Sequence, residues 1–238
     1  MSAWQKAVPS LEKPIEVRRL LTQRLAKLEH TSQALAEAAE VPIEYIDDLL
    51  AGNRLPPMPG RSDLYDRMAS FLKVALSDLE ACATFERGDP SASKPRTPKP
   101  AIRRILLDLC DPKTAQQLEA RRAKRGPAEL VGFIQRVLDV VRREVRRSLA
   151  DRVGLRLQAQ HSGKTYEATR LEVLEFLDTT AATLTAADVS KFVQPRIARW
   201  DIDIDTGVLR VVMQGQEPAG GPKPRPVNQS DRKQRRSG

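Results

Sequence analysis

The stretch that most constrains this chain is residues 31–56, TSQALAEAAEVPIEYIDDLLAGNRLP, which has the pattern of two short helices joined by a tight turn. Apolar residues recur at helical spacing along it and would bury one face; they are Leu35, Ala36, Ala39, Val41, Tyr45, Ile46 and Leu49. Thr31 or Ser32 can cap the first helix by accepting a hydrogen bond from a free backbone N–H. Pro42 suits the start of the second helix, and Gly52 can end it with a positive φ. The arrangement predicts a helix-turn-helix, whose second helix is the one that enters a DNA groove.

The same stretch resembles the Cro- and lambda-repressor-like helix-turn-helix family, also called the xenobiotic-response-element family. The matching residues are Ser32, Gln33, Leu35, Ala36, Glu37, Ala39, Val41, Tyr45, Ile46, Leu49, Gly52 and Pro56. Flanking apolar residues extend the resemblance over about residues 15–80; they are Leu20, Leu21, Leu25 and Leu28 upstream, and Leu64, Met68, Ala69, Leu72, Val74 and Leu79 downstream. The resemblance implies a helical bundle that binds duplex DNA and regulates transcription, with base readout by the second helix.

The resemblance also implies which residues would contact DNA. They are Ser32, Gln33, Ile43, Glu44, Tyr45, Asp47, Asp48, Asn53 and Arg54. Gln33 would contact a phosphate or a base at the start of its helix, while Asn53 and Arg54 would hold the DNA backbone. The residues of the second helix would face the groove.

Several positions depart from the family's pattern. Glu40 stands where the family usually has glycine, and Pro42 where it usually has a polar serine. Asp47 and Asp48 replace the serine and arginine that many members carry on the exposed face of the recognition helix. Acidic side chains can accept a hydrogen bond from cytosine N4, so they do not exclude base readout. They also suit a second hypothesis, an adaptor whose acidic helix-turn-helix surface docks a basic protein partner.

The charge of the chain is unevenly distributed. Residues 1–86 hold ten Lys or Arg against thirteen Asp or Glu, whereas residues 87–238 hold thirty against eighteen. Because DNA affinity depends largely on neutralising phosphates, an acidic reading helix must be offset by charge elsewhere. The net charge of +9 favours polyanionic partners, with nucleic acid ahead of an acidic membrane.

Composition points to a cytoplasmic, nucleoid-associated protein. A chain of 238 residues normally makes one or two domains, and an aromatic content of only 4% favours aliphatic, helix-rich cores. No apolar run is long enough to span a membrane, and the N-terminal sequence MSAWQKAVPS lacks the core of a signal peptide. Cys82 and Cys110 lie among apolar neighbours and are expected to be buried thiols of a reducing compartment.

Residues 86–100 hold four prolines among small and charged residues, which predicts an extended linker. Such a linker would let the helix-turn-helix domain sample positions relative to the rest of the chain. The linker divides the chain into an N-terminal arm (1–14), a helix-turn-helix domain (15–85) and a body (101–213). The body opens with two helical segments, IRRILLDLC and the highly charged KTAQQLEARRAKR.

Residues 128–152 have the strongest helical pattern in the chain. Their apolar stripe consists of Leu130, Phe133 or Ile134, Val137, Val141, Val145 and Leu149. A stripe of this length is expected either to form the seam of a homodimer or to pack inside its own domain, and the pattern does not choose between them. Arg142, Arg143, Arg146 and Arg147 near the helix end can contact phosphates or complement the helix dipole.

The rest of the body has mixed signals. Residues 155–160, LRLQAQ, alternate like a half-buried strand, residues 169–184 are predicted to be helical, and residues 185–194 predict a short helix capped by Thr185. Residues 196–213 alternate on both sides of a turn and predict a β-hairpin; its expected buried residues are Ile202, Ile204, Val208 and Val211. The expected fold is therefore mainly α, with a mostly helical α+β body.

Residues 214–238 form a low-complexity basic tail without a packable stripe, and this composition predicts disorder. The tail is either a solubilising terminus or a source of extra phosphate contacts. The residues that would supply such contacts are Arg232, Lys233, Arg235 and Arg236.

Candidate catalytic chemistry is sparse, and the chain is predicted not to be an enzyme. Residues 162–165, SGKT, lack the glycine that a phosphate-binding loop requires at position 158. The two histidines and two cysteines show no metal-ligand spacing. Asp201, Asp203 and Asp205 would share one face of a strand, an arrangement more typical of a wet hairpin face than of a cation site. No cofactor, metal or catalytic residue is expected.

Overall fold

The computed structural model describes residues 13–88 and 97–214, and it is mainly helical with one small sheet. The helices are α1 (Val17–Leu28), α2 (Ser32–Ala39), α3 (Ile43–Ala51), α4 (Leu64–Leu72), α5 (Leu76–Arg87), α6 (Pro100–Asp108), α7 (Pro112–Arg125), α8 (Ala128–Ala150), α9 (Arg152–Ser162), α10 (Tyr166–Asp178) and α11 (Ala186–Asp188). A π-helical turn follows at Val189–Val193, then β1 (Ile197–Ile202) and β2 (Leu209–Met213). The residues 13–88 are here called the head, and the residues 97–214 the body.

The α2–α3 unit has the caps that its sequence predicts. Thr31 Oγ1 accepts the backbone N–H of Ala34 at 3.1 Å and so satisfies one free donor at the start of α2. Pro42 is the N-cap residue of α3, and Gly52 ends that helix at φ 75°. The apolar faces of the two helices pack on α1 and α4, with Leu35 and Ile46 fully buried.

Glu40 occupies the turn between α2 and α3 in the left-handed conformation, at φ 55° and ψ 47°. Glycine adopts this conformation without strain, whereas a residue with a Cβ atom loses about 1–2 kcal/mol. The backbone therefore keeps the shape that the family's glycine would allow, although the side chain differs. Contacts of the Glu40 carboxylate with the body, given below, offset this cost.

Helix α8 lies in the core of its own chain. Val141 and Val145 are fully buried, and the helix packs on α7, α9, α10 and the hairpin. Of the two expectations for its apolar stripe, the structure agrees with packing inside the domain. The stripe is not free to form the seam of a homodimer.

The predicted strand at residues 155–160 is wrong, because this segment lies inside α9. Asp151 caps the helix by accepting the N–H of Gly154. Leu155 and Ala159, four residues apart, are both buried, whereas Leu157 is 51% exposed. In so short a segment the alternating pattern also fits a helix, whose buried positions recur every three or four residues.

The predicted β-hairpin is confirmed, since β1 and β2 pair antiparallel. Its buried side differs from the prediction: Ile202 is buried, but Val208 is 53% exposed and Ile204 and Val211 are only half-buried. A register irregularity lies between Ile197 and Arg199 at the start of β1, and Ile197 and Trp200 are both buried. Trp200 shares the face of Ile202, two residues on, and its Nε1 donates to the Leu106 carbonyl at 2.8 Å.

The other predicted element boundaries differ less from those of the structure. The predicted helix at residues 169–184 begins earlier, as α10, and stops at Asp178. Thr185 caps α11 as predicted, in a reciprocal capping box with Asp188. Most of the expected linker, residues 89–96, lies outside the described residues, as do residues 1–12 of the arm and 215–238 of the tail. No helix in the described ranges is long and apolar enough to cross a membrane.

Candidate functional site

The nine residues predicted to contact DNA divide into three groups by exposure. Gln33, Glu44, Asp47 and Asn53 are exposed, and Ser32, Ile43, Asp48 and Arg54 are half-buried. Tyr45 is buried, at 5% exposure. Gln33 donates its side-chain amide to Glu37 at 2.8 Å, so its position at the start of α2 is fixed by a neighbour one turn away.

The prediction that Tyr45 faces the groove is wrong. Its ring is buried under the guanidinium of Arg54, whose Cζ lies 4.9 Å from the ring centroid. Burial raises the pKa of the Tyr45 hydroxyl above its ordinary value. Tyr45 lies one helical turn before Leu49 and belongs to the same buried face, which already follows from the apolar pattern of the segment.

Arg54, which is predicted to hold the DNA backbone, is paired with the body in this arrangement. Its Nη1 donates to the Glu175 carboxylate of α10 at 2.8 Å, so the guanidinium turns toward the body. Glu175 is remote in sequence, and no local pattern could have indicated it as a partner.

The Glu40 carboxylate joins the α2–α3 turn to the body. Its Oε1 lies 3.0 Å from Arg67 Nη1 and 2.6 Å from Arg152 Nη2. Its Oε2 accepts the hydroxyl of Tyr166 at 2.7 Å and lies 3.9 Å from Arg170 Nε. Burial would raise the pKa of Glu40, but the Tyr166 hydrogen bond and the arginine charges outweigh it and lower that pKa below its ordinary value. Glu40 therefore joins the turn between α2 and α3 to the body.

The loop after α3 is also held by the body. The backbone N–H of Met58 donates to Asp178 at 2.7 Å, and Arg87 pairs with the same carboxylate at 3.0 Å. Asp63 pairs at 2.6 Å with Arg170, whose side chain is fully buried. These contacts between head and body are here called the seam. They fix the head on the body, in contrast to the predicted freedom of the head across its linker.

The four arginines of α8 have different surroundings. Arg142 is buried, Arg146 donates to the Gly60 carbonyl at 2.9 Å, and Arg147 pairs with Glu144 at 2.7 Å. Arg143 is exposed and makes no hydrogen bond or ion pair with any residue of the described ranges. The four basic residues of the tail, Arg232, Lys233, Arg235 and Arg236, lie outside the described residues.

The body brings arginines to the α2–α3 turn that sequence reasoning missed. Arg152 and Arg156 of α9 are exposed there, with Arg156 Cζ 5.6 Å from the ring centroid of Tyr166. At the other end of α3, the guanidinium of Arg18 packs so closely on Gly52 that a Cβ atom at this position would lie only 3.1 Å from Arg18 Nη1. Both ends of α3 are thus bordered by exposed arginines. Arg152 ends the helix predicted for residues 128–152, and Arg156 lies in the segment predicted to be a strand, so neither is expected beside this turn.

The three aspartates of the hairpin do not form a cluster. Asp201 accepts the Thr114 hydroxyl at 2.6 Å, Asp203 accepts backbone N–H groups of its own turn, and Asp205 pairs with Arg121 at 3.1 Å. Strand β1 ends at Ile202, so the predicted common face does not extend to all three. In the described parts of the chain, no group of three or more His, Cys, Asp or Glu side chains could hold a metal ion.

Comparisons of the whole chain found no matching protein family, no matching curated protein and no matching solved structure.

Proposed function

We propose that this chain is a non-enzymatic regulator that binds duplex DNA through α3, with phosphate contacts supplied by arginines of both head and body. The observation that supports this proposal is the arrangement around α3. Its outward residues Glu44 and Asp47 are uncovered, and exposed arginines border both of its ends: Arg18 at one, and Arg152 and Arg156 at the other.

The length of α3 is close to the width of a major groove. A nine-residue helix is about 13 Å long at 1.5 Å per residue, and the major groove is about 12 Å wide. Cations at the two ends of such a helix can reach phosphates on the two strands that border the groove. Phosphate neutralisation of this kind would offset the repulsion between the acidic helix and the DNA backbone.

The acidic residues limit what α3 can read. Glu44 and Asp47 can accept hydrogen bonds from cytosine N4 but offer no donor to guanine or to phosphates. Specificity would therefore come from few base contacts, and affinity mainly from the arginines. A steep dependence of binding on salt concentration is expected.

The test compares two double variants of equal charge in gel shifts on fragments of the genome that encodes the chain. Arg18→Gln with Arg156→Gln removes one exposed arginine at each end of α3. The control, Arg104→Gln with Arg147→Gln, removes two exposed arginines of α6 and α8. We expect the first variant to bind more weakly and to make the slope of log K against log salt shallower by about two, since each lost phosphate contact changes it by about 0.9. Equal weakening in both variants would contradict the proposal.

A second candidate function is an adaptor that docks a basic protein surface on the same corner. The observation that favours it is the exposure of Glu37, Glu44 and Asp47, none of which pairs with a Lys or Arg of the described ranges. If the chain binds no DNA at low salt but binds a lysine-rich peptide, and Glu44→Gln with Asp47→Asn abolishes that binding, this function replaces the first.

Pairing of two copies stays a prediction. A single reading head covers one half-site, and specificity usually comes from two heads bound together. The interface of such a dimer would have to lie outside the α8 stripe, since Val141 and Val145 are buried within one chain.

A further inference from the structure

A cleft of about 260 Å³ lies on the seam, away from α3, and its lining is strongly basic. The head contributes Gly60 and Arg61, and α8 contributes Asp139, Arg142, Arg143 and Arg146. Four arginines and one aspartate therefore line the cleft, and only Arg142 pairs with that aspartate. Its volume is below the roughly 300–1,000 Å³ of a typical pocket for drug-sized ligands, so its occupant must be small.

Arg142 is the best-buried of these arginines, at 6% exposure. Its Nη1 donates to Asp139 at 2.6 Å and its Nη2 donates to the Thr179 carbonyl. Its Nε has no hydrogen-bond partner within the described structure. A buried guanidinium that lacks full pairing is costly, and groups of this kind are normally satisfied by a protein or ligand acceptor.

The other arginines leave positive charge in the cleft uncompensated. Arg61 uses only its Nη1, which donates to the Leu177 carbonyl at 3.0 Å and to the Thr179 carbonyl at 3.2 Å. Arg143 has no partner among the described residues. Burial is the largest cause that lowers the pKa of Arg142 below its ordinary value, and the like charge of Arg61 lowers it further.

We propose that this cleft binds the phosphate group of a small anionic ligand, held between Arg61 of the head and Arg142, Arg143 and Arg146 of the body. A phosphate offers three acceptor oxygens in different directions and carries close to two negative charges, so it suits several guanidinium groups at once. A carboxylate is satisfied by a single bidentate arginine. The DNA backbone suits the cleft less well, because Arg142 is recessed and Asp139 stands at the rim, 54% exposed, where it would repel a polyanion.

Binding at this place would strengthen the seam. The ligand would bridge residues that are otherwise joined only through backbone carbonyls, such as Arg146 to Gly60. Because Gly60 and Arg61 belong to the loop that follows α3, ligand binding would hold that loop on the body. Phosphate binding in this cleft does not require that α3 bind DNA.

The experiment titrates the full chain by calorimetry with inorganic phosphate and with glycerol phosphate, at constant ionic strength and without DNA. The test variant is Arg143→Gln with Arg146→Gln, because both side chains are exposed and their loss should leave the fold intact. The charge-matched control is again Arg104→Gln with Arg147→Gln. Far-ultraviolet circular dichroism melts of all three proteins check that each is folded.

We expect the wild type and the control to bind phosphate equally, and the test variant to bind at least about tenfold more weakly, since hydrogen bonds to charged groups are lost. Tighter binding of glycerol phosphate than of inorganic phosphate would identify an organic phosphate as the natural ligand. The proposal is overturned if wild type binds neither probe at about 10 mM, if the control weakens as much as the test variant, or if a short duplex displaces phosphate and loses more affinity in the test variant. The Arg18 and Arg156 variant should bind phosphate normally, which separates this result from the test of DNA binding.

Discussion

Each end of the seam contains a buried arginine, and the two arginines are paired in opposite ways. Arg170, fully buried, faces two carboxylates of the head, Asp63 at 2.6 Å and Glu40 at 3.9 Å. Arg142 faces one exposed carboxylate and a carbonyl oxygen, with Arg61 as a like-charged neighbour. The first arrangement places the buried guanidinium near two carboxylates and joins head to body, although its Nε and Nη1 have no hydrogen-bond partner in the described structure. In the second arrangement the charges of Arg142 and Arg61 exceed that of the one carboxylate, so this end is suited to an external anion.

The contributions of the two ends of the seam to stability can be compared by replacing each buried arginine with methionine. Arg170→Met leaves Asp63 and Glu40 without their buried partner, so we expect unfolding in urea to lose about 3–5 kcal/mol. Arg142→Met removes a charge that its surroundings only partly compensate, and we expect a loss of no more than about 1–2 kcal/mol. Equal losses would mean that the two ends do not differ as described.

Much of the head could be predicted from its sequence, because its signals are local. A capping threonine, a proline at a helix start and a glycine at a helix end act within one turn, and Thr31, Pro42 and Gly52 all occupy the expected places. The body was harder to predict. Six alternating residues fit both a strand and a helix, and only the packing of Leu155 and Ala159 on neighbouring helices decides between them.

The site was less predictable than the fold, because its key contacts join residues far apart in sequence. Glu40 was recognised as a departure from the family, but its partners Arg152 and Tyr166 are more than a hundred positions away. The resemblance implies that Arg54 holds the DNA backbone, but its partner Glu175 lies on a helix remote in sequence. Tyr45 is different, because the helical stripe of α3 already predicts that it is buried. That local pattern is a better guide to Tyr45 than the groove-facing role that the resemblance implies.

Acid should weaken the end of the seam at Glu40 and Asp63. The pKa of each carboxylate is lowered in the folded protein although burial acts in the opposite direction. The Tyr166 hydrogen bond and arginine charges stabilise the charged form of Glu40, and Arg67 and Arg170 stabilise that of Asp63. The folded state therefore binds fewer protons than the unfolded state, and the stabilisation is complete above the ordinary values of 4.5 and 3.8 and lost below them. We expect the free energy of unfolding to fall as pH drops from about 5 to 3.

The variant Glu40→Gln with Asp63→Asn tests whether these two residues cause the acid sensitivity. It should be less stable than the wild type at neutral pH and should show a shallower decline toward acid. A parallel decline in both proteins, measured by urea unfolding at each pH, would assign the acid sensitivity to other carboxylates.

The backbone strain at Glu40 can be measured apart from its ion pairs. Glu40→Ala and Glu40→Gly both remove the carboxylate, but only glycine relieves the left-handed conformation at φ 55°. We expect the glycine variant to be about 1 kcal/mol more stable than the alanine variant in urea unfolding. If both variants are also less stable than the wild type, the contacts of Glu40 with Arg67, Arg152 and Tyr166 outweigh the strain.

The smallest effect is expected at Arg54, where the ion pair with Glu175 is well exposed on both sides, at 35% and 46%. Exposed pairs contribute about 0–1 kcal/mol, so Arg54→Ala should barely change stability even after the loss of its contact with the Tyr45 ring. Glu175→Ala serves as the matched control, because it breaks the same pair while keeping the arginine. If Arg54 is released to bind phosphate when DNA is present, Arg54→Ala will weaken DNA binding in gel shifts whereas Glu175→Ala will strengthen it. If neither variant changes DNA binding, Arg54 belongs to the seam alone.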